Sequence, residues 1–181
     1  MPPSMEQFRQ RVANIAIGPS TLRNQGAPGV NALLRAFLTR LNLTRFVSED
    51  ESVFRKELDR QTVFVIRKLP KGAQHWGAAR KAINLFLAEA YYHRFLCKEY
   101  HLARIEKFLE VPLDRQVAKF LINKARTMSD SRLPRWRGIK HLTPTDSRRY
   151  QDFANDYATT LADDWARVHR GVIMWRSNNR D

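Results

Sequence analysis

Cysteine is almost absent from this sequence: among 181 residues only Cys97 carries a thiol. A single thiol excludes an internal disulfide framework and a cysteine-ligated iron–sulfur cluster, and it suits a reducing cytosol. Acidic residues are scarce as well, 18 against 32 Lys and Arg, which leaves a formal net charge of +14. Long apolar runs are missing. VFVI at 63–66 is far too short to span a bilayer, and the opening MPPSMEQFRQRV has charges where a secretory signal needs an apolar core. The expectation is a soluble, cytoplasmic protein with no membrane partner. His75, His93, His101, His141 and His169 lack metal-ligand spacing, so neither a metal nor another cofactor is expected.

What is present points elsewhere. Hydrophobic residues make up 43% of the chain, enough for a globular core. The length suits one domain, or two small lobes sharing a cleft. Basic residues run from Arg9, Arg11 and Arg23 to Arg167, Arg170, Arg176 and Arg180, so the folded body itself is positive. A field of that sign suits a polyanion, most often nucleic acid; the plainer alternative is a soluble basic or ribosome-associated protein.

Almost every segment has helical periodicity. Met5, Phe8, Val12 and Ile15 mark one face of a first helix, and IGPSTLRNQGAPG interrupts as a loop. Val30, Leu33, Leu34, Phe37, Leu38 and Leu41 mark a second. Ser48 and Glu51 form a capping-box signature for a third, which takes in TVFVI at 62–66 and ends at LPKGAQHWG. AARKAINLFLAEAYYHRFL reads as one helix, His101 to Leu109 as a short one, and Thr143-Pro144 as the start of another. The last helix holds Trp165, Val168, Val172 and Trp175, with both tryptophans read as core. The expected class is all-α.

Two segments carry chemistry: LPKGAQHWGAARKAINLFL at 69–87 and EVPLDRQVAKFLINKA at 110–125. The first reads as a helix, a glycine-bearing turn and a helix, and such a turn can seat a phosphate on its backbone N–H groups. Lys81 stands near the start of the second helix. The other segment sets Asp114 at the start of a further helix, where capping alone would explain a carboxylate.

Together the two segments resemble the helix-hairpin-helix DNA glycosylase superfamily, in which a hairpin precedes a lysine and a P-V-D-type aspartate follows. Arg80-Lys81-Ala82-Ile83-Asn84-Leu85 is similar to the lysine helix of endonuclease III-like enzymes, and Pro112-Leu113-Asp114 to the aspartate motif. Asp114 follows Lys81 by 33 residues (114 − 81), an extended spacing like that of the archaeal-type 8-oxoguanine DNA glycosylase branch. The hairpin glycines are displaced to Gly72 and Gly77, and Leu113 replaces the usual valine. The resemblance implies a single domain over 1–181, a bundle of about eight helices in two lobes around a cleft. The hairpin and lysine helix would occupy about 60–97 and the aspartate helix about 112–127. It implies Lys81 and Asp114 as catalytic residues and Lys71, Gly72, Gly77 and Arg80 as contacts to the DNA backbone. The partner would be double-stranded DNA bearing a damaged or modified base, and the chain a monomer associated with the nucleoid.

The chemistry requires both residues. An ordinary lysine, with a pKa of about 10.4, is neutral in only about one molecule per thousand at neutral pH, so amine attack on C1′ of a flipped-out nucleoside needs help with protons. Asp114 would move protons and stabilise charge on the sugar. A flipped base needs aromatic or apolar walls. Trp76, just ahead of Lys81, and Trp136, in RLPRWRGIKH, are the candidates; Arg23 and Gln25 in the first loop could read a base edge. Two rival readings stay open. Arg94 and His101 fit the R-x4-6-H pattern of HEPN-type ribonucleases, and a DNA-binding module without catalysis would also use the hairpin. Which base is excised, and whether the role is repair or antiviral defence, is open too.

Overall fold

Eight α-helices and three short 3-10 turns build the chain, with no strand among the described residues, in agreement with the all-α expectation. The computed structural model describes residues 3–22, 27–128, 132–161 and 165–176. Helix α1 (Met5–Ala16) begins at a capping box in which Ser4 and Gln7 satisfy each other's backbone N–H. Its buried stripe is Val12, Ala13 and Ala16. Ile15, expected inward, is 54% exposed; at about 100° per residue it lies roughly a quarter-turn off that stripe. Helix α2 (Val30–Thr39) buries Val30, Leu34 and Leu38 as its pattern requires.

Helix α3 (Glu51–Lys68) is capped differently from the sequence expectation. Asp50, not Ser48, accepts the helix-start N–H, from Ser52 at 2.7 Å, while Ser48 Oγ accepts the N–H of Asp50. A carboxylate next to the positive helix end is the better acceptor, so it displaces the serine box. Within TVFVI, Thr62 and Val65 face inward, and Val63 and Phe64 are exposed.

Helix α4 (Trp76–Tyr92) is the central element. Ala78, Ala79, Ala82, Ile83, Phe86 and Ala90 are buried, and the alanines let α1 and α3 approach closely. The helix expected to continue to Leu96 breaks at His93, which ends α4 and whose ring accepts the N–H of Leu96 to start α5 (Arg94–Glu99). A 3-10 turn follows at Leu102–Phe108. Residues 109–114 are non-helical, and α6 (Arg115–Met128) begins directly after Asp114. The last of the three 3-10 turns, at Ile139–His141 (the first is at Leu43–Phe46), leads to α7 (Pro144–Thr159), capped by Thr143 with Pro144 in the first turn as expected. Helix α8 (Arg167–Arg176) closes the described chain.

The core falls into two hydrophobic clusters. One gathers α1 to α5 around Leu34, Phe46, Phe54, Ile83 and Phe86. The other joins α6, α7 and the loop before α7 around Val117, Leu121, Leu142 and Tyr150. Helix α4 contributes Ile83 and Phe86 to the first and Trp76 to the second. That position brings its first turns up against the segment leading into α6.

Candidate active site

Lys81 and Asp114 meet across that junction. Lys81 Nζ lies 3.6 Å from Asp114 Oδ2, with side chains 13% and 26% exposed. The two oxygens of Asp114 are divided between tasks. Oδ1 accepts the N–H groups of Gln116 and Val117, at 2.9 and 3.0 Å, and so caps α6. Oδ2 is left to face the lysine. Pro112 and the cap fix where α6 begins, because proline disfavours a helical residue before it and the carboxylate satisfies orphan donors after it. The amphipathic pattern of α6, with Val117, Ala118, Leu121 and Ala125 buried, then orients Asp114 relative to the core.

A second and buried ion pair holds the same two segments together. Arg80 donates from Nε and Nη2 to the two oxygens of Glu110, at 2.9 and 2.7 Å, and from Nη1 to Asp59 at 2.7 Å. Asn84, one turn on, also donates to Glu110 at 2.8 Å. Burial alone would raise the Glu110 carboxyl; the hydrogen bonds and charge of Arg80 outweigh it and hold Glu110 below its ordinary value. The non-helical segment 109–114 is clasped by other helices as well. Gln151 of α7 accepts the N–H of Val111 at 2.9 Å and donates to its carbonyl at 2.8 Å. Arg167 of α8 donates to the carbonyls of Leu109 and Phe108, at 3.0 and 2.9 Å. Helices α7 and α8 thus satisfy a non-helical backbone that would otherwise be buried without partners, and α4 holds its Glu110 side chain.

This network corrects one expectation. Arg80 is not available to a DNA backbone: it is 4% exposed and committed to Glu110 and Asp59, with its guanidinium over the Trp76 ring at 5.3 Å. Gly77 is a second correction. It is buried as the second residue of α4, where a Cβ would stand 2.3 Å from the Ile139 carbonyl oxygen. Its missing side chain makes room for protein, not for a phosphate. Gly72 does occupy the expected turn, exposed and with φ of 87°, beside an exposed Lys71.

The aromatic candidates are half-buried and belong to the second cluster. Trp76 lines a cavity of about 330 Å³ together with Arg80, Asp59 and Glu110. Trp136 packs edge-on against Tyr150 and lines a separate cavity of about 450 Å³. Lys81 and Asp114 line neither. Arg23 and Gln25 lie outside the described residues. Trp165, read as core, is instead 56% exposed, with the Arg170 guanidinium over its ring at 5.5 Å; the Trp175 side chain lies outside the described residues. Arg94 and His101 are both exposed, at the start of α5 and just before the 3-10 turn.

Sequence reasoning missed Glu110, Gln151 and Arg167. Glu110 was legible in principle, as an acid four residues before Asp114 in an apolar stretch; the other two had no local signal. It also missed a relay in which Tyr92 O–H donates to His169 Nδ1 at 2.6 Å and His169 Nε2–H donates to Glu106 at 2.7 Å. That relay ties α8 to the end of α4. Among the described residues no group of three or more His, Cys, Asp or Glu side chains is placed to hold a metal, and no helix is long and apolar enough to cross a membrane. Compared with protein-family models, with curated proteins and with solved structures, the chain matches none.

Proposed function

We propose that this chain is a DNA glycosylase with AP-lyase activity, which flips out a damaged or modified base and excises it through a lysine Schiff base. The observation that carries the reading is the division of labour at Asp114: one oxygen caps α6 and the other faces Lys81 Nζ at 3.6 Å. Simple capping would leave the second oxygen free to face solvent. The net charge of +14 supports a polyanionic substrate.

In this reading the Nζ lone pair forms a bond to C1′ of the extruded nucleoside. The C1′–N bond breaks, its electron pair leaves with the base, and the base takes up a proton. Opening of the C1′–O4′ bond, with its electron pair and a proton going to O4′, then yields the protonated Schiff base. Asp114 Oδ2 would accept the proton from Nζ, hand it on to O4′ as the ring opens, and stabilise positive charge on the sugar. Removal of a C2′ proton and cleavage of the C3′–O bond would nick the strand. The Arg80–Glu110 pair positions both groups without touching the substrate.

Borohydride trapping tests the reading, on duplexes carrying an abasic site or one of a panel of damaged and modified bases, with Lys81→Gln as control. The expected result is a covalent protein–DNA band that is absent for Lys81→Gln. No band on any duplex, with DNA binding intact, would overturn the Schiff-base mechanism.

A further inference from the structure

Residues 132–142, ahead of α7, are strongly basic and yet firmly held. Arg132, Arg135 and Arg137 are exposed, and Trp136 between the last two is half-buried. Trp136 packs edge-on against Tyr150, with ring centroids 6.0 Å apart. Tyr150 donates its hydroxyl proton to the Pro134 carbonyl at 2.6 Å, and Arg149 donates to the Arg132 carbonyl at 2.7 Å. Burial pushes the Tyr150 phenol up to about 12, so it remains a donor throughout the working range. At its far end the loop is seated on the lysine helix: the Ile139 carbonyl and Leu142 fill the space left by Gly77, four residues before Lys81.

A surface loop that only connects two helices needs none of this anchoring. Here the backbone is braced from α7 and α4 while the guanidinium groups of Arg135 and Arg137 remain exposed. A cavity of about 450 Å³ opens beside them, and Asp146 is the acidic residue on its wall, against Arg135, Arg137 and His141. Two residues of chain span at most about 7 Å, a reach that suits neighbouring phosphates of one nucleic-acid strand. Planar guanidinium groups bind phosphate oxygens in pairs and remain charged at any working pH.

Resting on the proposed function, we infer that Arg135 and Arg137 form a phosphate clamp for the DNA strand that carries the excised nucleotide, with Trp136 and Tyr150 as its braces. Trp136 then acts as a positioning residue and not as a wall of the base pocket. The segment that bears the clamp is seated, through Ile139 and Leu142, on the first turn of α4, four residues before Lys81.

The test measures binding to a duplex containing a tetrahydrofuran abasic analogue, by fluorescence anisotropy across a salt series. Arg135→Ala/Arg137→Ala is compared with wild type and with Lys56→Ala/Lys98→Ala, which removes the same charge from exposed positions on α3 and α5. Each lost phosphate contact reduces the slope of log K against log[salt] by about 0.9. The expected result is a slope shallower by up to about 1.8 for the arginine pair, with little change for the lysine pair. Equal slopes for the two variants would overturn the clamp. Trapping on abasic DNA at saturating protein is measured in parallel. A trapped band with equal slopes sinks the clamp and leaves the glycosylase reading intact. A selective loss of slope without trapping in wild type leaves the clamp standing and sinks the Schiff-base reading.

Discussion

Arg80 and Glu110 form a bidentate ion pair, at 2.9 and 2.7 Å, one residue before Lys81 and four before Asp114. The pair is buried on both sides, with side chains 5% and 7% exposed. It joins the same two segments as the Lys81–Asp114 contact, and it does so out of water. The partly buried Lys81–Asp114 pair is thus located by the fully buried one.

Removing one partner should therefore be costly. Glu110→Ala leaves the Arg80 guanidinium buried with Asp59 as its remaining carboxylate, and breaking a pair of this kind costs about 3–5 kcal/mol. Replacing both, as Arg80→Met/Glu110→Leu, should recover much of that loss. Urea unfolding of the three proteins measures it; a double variant no more stable than Glu110→Ala would contradict the account.

The same pair sets an acid dependence. Glu110 is held below its ordinary value in the folded protein, because Arg80 outweighs the raising effect of burial. A carboxyl lowered on folding adds stability above its unfolded value, about 4.3, and that contribution disappears as pH falls through the lower folded value. The stability gap between wild type and Glu110→Gln should be full at neutral pH and close below about pH 4. Melting temperatures from pH 7 to pH 3 would show it. A gap independent of pH would mean that Glu110 is not ionised in the fold.

Asp114→Asn separates capping from charge. Asparagine accepts N–H groups as aspartate does, so the start of α6 should lose no more than about 1 kcal/mol. Proton transfer and charge stabilisation at Oδ2 are removed, and single-turnover excision should fall about 10²- to 10⁴-fold. Thermal melts and excision rates on one preparation check both halves. Undiminished excision would reduce Asp114 to a cap.

Gly77→Ala tests the seat of the basic loop on α4. The added methyl would fall 2.3 Å from the Ile139 carbonyl oxygen and 2.8 Å from Leu142 Cβ, so the loop must shift. Overpacking of this kind costs about 1–3 kcal/mol. Affinity for duplex DNA should fall with it, even at temperatures where the variant remains folded. Unchanged stability would show that the 139–142 segment adjusts freely.

The sequence alone determined the helical class, most helix positions and the two chemistry-bearing segments. These are local properties: a 3.6-residue apolar period, a proline at 112 and a carboxylate at a helix start are written within a few neighbouring positions. The pairing of Lys81 with Asp114 was expected through the resemblance, and the tertiary structure brings the two within 3.6 Å. Only the tertiary structure decided which cations are spent inside the fold. Arg80 and Arg135 look alike in sequence, each beside an aromatic residue or close to one, but Arg80 is enclosed by Glu110 and Asp59 and Arg135 is exposed. Glycine was equally ambiguous, since Gly72 and Gly77 both suit a hairpin until packing puts Ile139 against the second. Gln151 and Arg167 clasp a backbone 40 and 58 residues away from them in the chain. Burial and long-range hydrogen bonding depend on which surfaces meet, and no window of neighbouring residues contains that information.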